Sequence, residues 1–119
     1  MEVNKNNIKD LKNTKEHIII LFYANWCSAC QRFKPTWEKF NKTFPKDKNS
    51  KKVKVYQIED TQIKTFKRYK FIKELYKDFQ GYPTVFYINS DKETDMLIGS
   101  DKTKKELKAK MNEFFKLKK

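Results

Sequence analysis

An apolar run that ends in a cysteine pair constrains this chain more than any other feature. His17-Ile18-Ile19-Ile20-Leu21-Phe22-Tyr23 is apolar on both faces of a strand, the pattern of a central strand covered on both sides. Trp26-Cys27-Ser28-Ala29-Cys30 follows and holds both cysteines of the chain. Beyond it Phe33, Trp37, Phe40 and Phe44 recur at helical spacing. The cysteines therefore fall at a strand-to-helix junction, with Cys27 expected in the first helical turn and Cys30 one turn on. Unpaired backbone N–H groups and the helix dipole favour a thiolate there. Cys30 is close enough to form a disulfide with Cys27, and a thiol pair so placed can be oxidised and reduced repeatedly.

The 119 residues suit one domain, 1–119, with one modest core, and 15% aromatic residues can fill it despite 36% charged residues. No apolar stretch reaches the roughly 18 residues of a membrane span. Residues 1–7, Met-Glu-Val-Asn-Lys-Asn-Asn, lack the apolar segment of a secretory signal. A cytoplasmic, reducing location is therefore expected, where two cysteines point to catalysis or metal rather than to a structural disulfide. Structural zinc needs four ligands, and the chain offers Cys27, Cys30 and a distant His17. No metal and no organic cofactor is expected.

The net charge of +13 invites a nucleic-acid reading. The charge is spread, however, over residues 41–56, 61–80 and 101–119. Arg32 and Arg68 are the two arginines among 28 basic residues. Arginine is the usual side chain for bidentate phosphate and base contacts, so solvated lysine faces are the favoured reading. The segment 61–73 alternates basic and aromatic residues. It reads as an amphipathic helix whose aromatics pack inward, with docking of an acidic partner or weak, non-specific nucleic-acid contact as the rival.

Along the chain, Val3 is expected to begin a short edge strand, and Asn6 or Asn7 to cap a helix burying Ile8 and Leu11. The helix from Cys27 to Phe44 contains Pro35, which should kink it. A second central strand covers about 52–59. Residues 61–79 show one helical period through Ile63, Phe66, Ile72, Leu75, Tyr76 and Phe79. Gln80-Gly81-Tyr82-Pro83 is a turn signal. Thr84–Asn89 and about Glu93–Ile98 read as a hairpin. Gly99 ends it, and Asp101 or Thr103 caps a last helix with Leu107 and Met111 inside. The order is β-α-β-α-β-α-β-β-α.

This order resembles the thioredoxin fold, an α/β architecture with a central mixed sheet flanked by helices. Phe22-Tyr23-Ala24-Asn25-Trp26-Cys27-Ser28-Ala29-Cys30 is similar to the family's F-x-A-x-W-C-x-x-C. Pro35 lies five residues past the second cysteine, at the family's helix kink. Gly81-Tyr82-Pro83-Thr84 resembles its cis-proline loop, and Gly99 matches a glycine flanking its substrate groove. The segment between Glu59 and Gly81 is about nine residues longer than in a minimal member, which predicts a lengthened helix before that loop.

The resemblance implies a protein-disulfide oxidoreductase, reductase more than isomerase or oxidase. It implies Cys27 as nucleophile, Cys30 as resolving thiol, a redox-active Cys27–Cys30 disulfide, and a substrate groove framed by Trp26, Tyr82, Pro83 and Gly99. Partners would be protein disulfides and an upstream thiol or flavoprotein reductant, with the chain a monomer. Two departures stand out. The family's buried acid six residues before the first cysteine is matched by Leu21, and its lysine partner by Val55. Both are apolar, which avoids stranding one buried charge but leaves no evident proton acceptor for Cys30. The dipeptide Ser28-Ala29 is neither the Gly-Pro of thioredoxins nor the Gly-His of disulfide isomerases.

Overall fold

The computed structural model describes residues 1–118. Four strands form one sheet: β1 (His17–Tyr23), β2 (Val53–Glu59), β3 (Thr84–Ile88) and β4 (Thr94–Ile98), in the order β2-β1-β3-β4. β1 runs parallel to β2, pairing His17 with Val53 through Tyr23 with Glu59, and antiparallel to β3. β3 and β4 form the expected hairpin. The helices are α1 (Ile8–Asn13), α2 (Ser28–Thr43), α3 (Asp60–Phe66), α4 (Lys70–Lys77) and α5 (Lys104–Phe114).

Alternation along β1 divides the core. Ile18, Ile20 and Phe22 pack with Ile8, Leu11, Ile63, Phe66, Ile72 and Leu75 from α1, α3 and α4. Ile19 and Leu21 face the other way, with Phe33, Trp37 and Phe40 of α2 and Leu107 and Met111 of α5. β1 is thus buried on both faces, as its composition requires. Pro35 lies inside α2 and cannot donate to the Gln31 carbonyl. α5 opens on Thr103, whose hydroxyl accepts the Glu106 N–H at 3.1 Å while the Glu106 carboxylate accepts the Thr103 N–H at 3.2 Å. This capping box stops the chain's last apolar stripe from fraying at its start.

Two expectations change. Val3 is fully buried, but it begins no strand; a single bridge joins Glu2 to Gln57. The Asn4 side chain accepts the Asn6 N–H at 2.8 Å, and Asn7 accepts the Asn4 N–H at 2.8 Å. These side-chain bonds turn the backbone at once and leave no length for a ladder. The lengthened helix is in fact two, α3 and α4, broken at residues 67–69. Tyr69 is extended there, with φ −67° and ψ 131°. From Ile63 to Leu75 an unbroken helix would rotate the apolar stripe by about 120°. The break resets it, so both helices bury their stripe in one core.

Candidate redox site

Cys27 ends the loop after β1 and caps α2 instead of lying inside its first turn. Its backbone is extended, φ −90° and ψ 115°, and its Sγ accepts the Cys30 backbone N–H at 3.1 Å. A sulfur occupies the place where a serine or aspartate oxygen commonly caps a helix. Cys27 Sγ also lies 3.8 Å from the Tyr82 carbonyl oxygen, to which the thiol donates. Both cysteines are unpaired thiols and both are 8% exposed. Cys27 is thus buried. The Tyr82 loop, Tyr23 and Ala24 close around it, and Trp26 is the residue left outside, at 72% exposure. Burial pushes the Cys30 thiol up to about 12; the hydrogen bond to Cys27 and the charge of Cys27 act in the same direction, against a backbone hydrogen bond at Ala24. At neutral pH Cys30 is a protonated thiol.

The Tyr82–Pro83 peptide bond is cis. Proline at this position brings no N–H to the Cys27 side of the loop, so the Tyr82 carbonyl faces the sulfur without a competing donor. The Tyr82 ring meets Trp26 edge-on at 5.8 Å. Its hydroxyl donates to Asp60 Oδ1 at 2.5 Å, and Trp26 Nε1 donates to Asp60 Oδ2 at 3.4 Å. Lys64 approaches Asp60 Oδ2 at 3.1 Å. The Tyr82 hydroxyl is the main reason the Asp60 carboxyl lies below its usual range; burial opposes it, and Lys64 and Trp26 assist. The same environment raises the Tyr82 phenol, first by burial and then through Asp60.

Glu59, next to Asp60, holds the cysteine loop from below. Its Oε2 accepts the Asn25 N–H at 3.2 Å, and its Oε1 accepts the Thr61 N–H at 2.9 Å. Burial would raise this carboxyl, but the hydrogen bonds from Thr61 and Asn25 prevail and lower it. One acidic doublet at the end of β2 therefore fixes Asn25, Trp26 and Tyr82 around Cys27. Neither residue was singled out in the sequence. The available signal was an acidic pair immediately after a central strand in a strongly basic chain.

A cleft of about 210 Å³ opens on the Cys30 side, lined in part by Leu21, Tyr23, Cys30, Trp37, Gln57 and Pro83. Leu21 does lie beneath the cysteines. The residue beside it in the parallel register is Gln57, however, and Val55 pairs with Ile19. Val55 packs against the same apolar cluster as Leu21, and Gln57 adds a polar neighbour to it. Gln57 Oε1 accepts the Trp37 indole N–H at 2.8 Å, and Gln57 Nε2 and the Tyr23 hydroxyl each donate to Glu2 Oε1 at 2.7 Å. Gly99 sits beside the proline loop, its N–H donating to the Pro83 carbonyl at 3.0 Å. Its φ of +100° is one that a side chain resists. His17 lies at the other end of β1, stacked on Phe115 at 4.4 Å, and among the described residues no three His, Cys, Asp or Glu side chains gather as metal ligands would.

The family model described as Thioredoxin matches residues 1–113. The chain belongs to the thioredoxin family. A Drosophila melanogaster relative, thioredoxin domain-containing protein 5 homolog, is 32% identical over 74% of this chain and 18% of its own length. Mouse protein disulfide-isomerase A4 is 30% identical over 93% of this chain and 16% of its own length. The chain thus spans less than a fifth of these curated relatives. The first thioredoxin domain of mouse protein disulfide-isomerase A4 superimposes with a TM-score of 0.69 at 27% identity, covering 96% of this chain and 74% of that domain structure. Thioredoxin from Malassezia sympodialis gives 0.67 at 18% identity over 94% of this chain and 87% of its own, a likeness of fold. This thioredoxin-family domain carries a C-x-x-C pair, and its structure brings Cys27, Cys30, Trp26, Tyr82 and Pro83 together, with Gly99 joined to them through Pro83.

Proposed function

We propose that this domain exchanges electrons with protein disulfides through Cys27 and Cys30. The observation that carries the proposal is the position of Cys27 Sγ, held by the Cys30 N–H and facing the Tyr82 carbonyl beside the cis proline. Cys27, as thiolate, attacks one sulfur of a substrate disulfide. A mixed disulfide forms, and the other substrate sulfur leaves as a thiolate that takes up a proton. Cys30 then loses its proton and attacks Cys27 Sγ. The second substrate sulfur leaves, and a Cys27–Cys30 disulfide remains. Two electrons have passed to the substrate, and an upstream dithiol or flavoprotein reductant must return them. Trp26, Tyr82, Pro83 and Gly99 form the wall that receives an extended substrate segment.

Insulin-disulfide reduction with dithiothreitol tests this. Cys27→Ser abolishes turnover, and Cys30→Ser accumulates mixed disulfides because resolution is lost. Equal rates for wild type and Cys27→Ser refute the assignment. We further propose the reducing direction, supported by the use of both cysteines in one vicinal pair with none spent on a structural disulfide. Equilibration with glutathione should then place the couple nearer the reductant end, about −270 mV, than the oxidant end, about −120 mV.

A further inference from the structure

The redox groove does not stop at Trp26. Four aromatic rings run from it along one surface. Trp26 meets Tyr82 at 5.8 Å, Tyr82 meets Phe79 at 4.6 Å, and Phe79 meets Tyr76 at 5.5 Å. Trp26 and Tyr76 are exposed at the two ends, and Tyr82 and Phe79 are half-buried between them. An extended segment of about five residues spans this run. At its far end Tyr76 joins Lys67, Arg68, Lys73 and Lys77 in an open depression of about 480 Å³ without a carboxylate in its lining. Lys64 lies alongside the strip on the preceding turn of α3. Of the two acids within α3 and α4, Asp60 is buried under Trp26 and Tyr82, and Glu74 pairs with Lys77 at 3.2 Å. Lys64 and Lys77 thus make ion pairs with Asp60 and Glu74, whereas Lys67, Arg68 and Lys73 make none among the described residues.

The break between α3 and α4 builds this depression. Lys67 and Arg68 lie in the broken turn, and Lys73 and Lys77 are on the outer face of α4. In a continuous helix the step from Lys67 to Tyr76 would turn by about 180°, placing Tyr76 on the face opposite Lys67. The residues that lengthen this region therefore join a cationic patch to an aromatic path leading back to Cys27.

We propose that the α3–α4 depression is a docking subsite for acidic segments flanking the substrate disulfide, so that the domain selects acidic proteins among disulfide substrates. This rests on the oxidoreductase reading above, and charge complementarity identifies the occupant. The cations are continuous with a groove built for extended polypeptide, and they are nearly all lysines, which suit mobile carboxylates better than the bidentate contacts of nucleic-acid recognition.

The test compares two synthetic peptides of equal length, each with one intramolecular disulfide. One carries aspartate and glutamate in the five residues on either side, the other serine and glutamine. KM for the acidic peptide should be about tenfold lower, since several exposed ion pairs each contribute a few-fold at most. The ratio should shrink towards one in 0.5 M salt, as screening requires, and also in the variant Lys67→Gln, Arg68→Gln, Lys73→Gln, Lys77→Gln. Equal KM values with both peptides reduced overturn the subsite and leave the oxidoreductase reading standing. No reduction of either peptide overturns both. A single-stranded oligonucleotide that binds the depression and loses affinity in the quadruple variant, while the acidic peptide shows no preference, assigns the patch to nucleic acid and overturns the proposal.

Discussion

The resolving step should depend steeply on pH, because the thiol that performs it is held neutral. A Cys30 thiol pushed up to about 12 leaves roughly one thiolate in 10⁵ at pH 7. Part of that elevation disappears in the mixed disulfide, where Cys27 has no charge and no thiolate to accept a hydrogen bond from the Cys30 thiol. Burial, the largest cause, remains, and it alone keeps Cys30 above its ordinary value of 9.0. The logarithm of the resolution rate should therefore rise with unit slope from pH 6 to 9, about a thousandfold in all, without a plateau. Acid quenching of a preformed mixed disulfide, followed by separation of released substrate thiol, measures that rate directly. Leu21→Asp provides the complementary perturbation. Leu21 is 5% exposed and lines the same cleft as Cys30, so a carboxylate there is raised by burial and can accept the Cys30 proton. The variant should show a faster resolution step below pH 8 and a loss of stability of about 2–4 kcal/mol, with Gln57 as its polar neighbour. A flat wild-type profile between pH 6 and 8 would refute the reasoning, as would a variant unchanged in both rate and stability.

Two further outcomes follow from single contacts. Asp60 has a carboxyl lowered chiefly by the Tyr82 hydroxyl, so it adds stability above its unfolded value near 3.8 and loses it as pH falls through the folded one. Tyr82→Phe removes that cause, and the acid-unfolding midpoint followed by circular dichroism should move to higher pH, with about 1 kcal/mol lost at pH 7; an unmoved midpoint contradicts it. Thr103→Ala removes half of the capping box of α5 and should cost about 1 kcal/mol, seen as a melting temperature lower by about 4 °C with redox activity retained.

The fold was legible where period and chemistry agreed. The β1 run, the aromatic spacing of α2 and the Gly81-Tyr82-Pro83 turn each had one reading, and the structure follows all three. The segment 61–79 was harder, because apolar residues at three-residue steps satisfy a helical pattern locally while drifting around the axis over longer distances. Cumulative rotation forced the break at residues 67–69, and no single window displays it. The cysteines were legible for the same reason as β1, but their surroundings were not. Glu59 and Asp60 act through backbone amides and rings that lie 22 to 34 residues away in sequence, and such partners are fixed by tertiary packing alone. Gln57 was not singled out because a parallel register cannot be read from two strands that are both largely apolar.

The bridge between Glu2 and Gln57 has a colloidal consequence. β2 is an outer strand, and its free side would otherwise present a row of amides and carbonyls to any passing chain. The Val3 N–H donates to the Gln57 carbonyl at 2.8 Å, and the Gln57 N–H donates to the Met1 carbonyl at 3.0 Å, so that template is occupied from within. The same residues carry the Glu2 carboxylate to Tyr23 and Gln57. Stripping residues 1–3 would bare the border of the sheet and leave Val55 and Gln57 ready to receive a foreign strand. The damage would then appear as concentration-dependent association, in a molecule whose helices and cysteines were still in place.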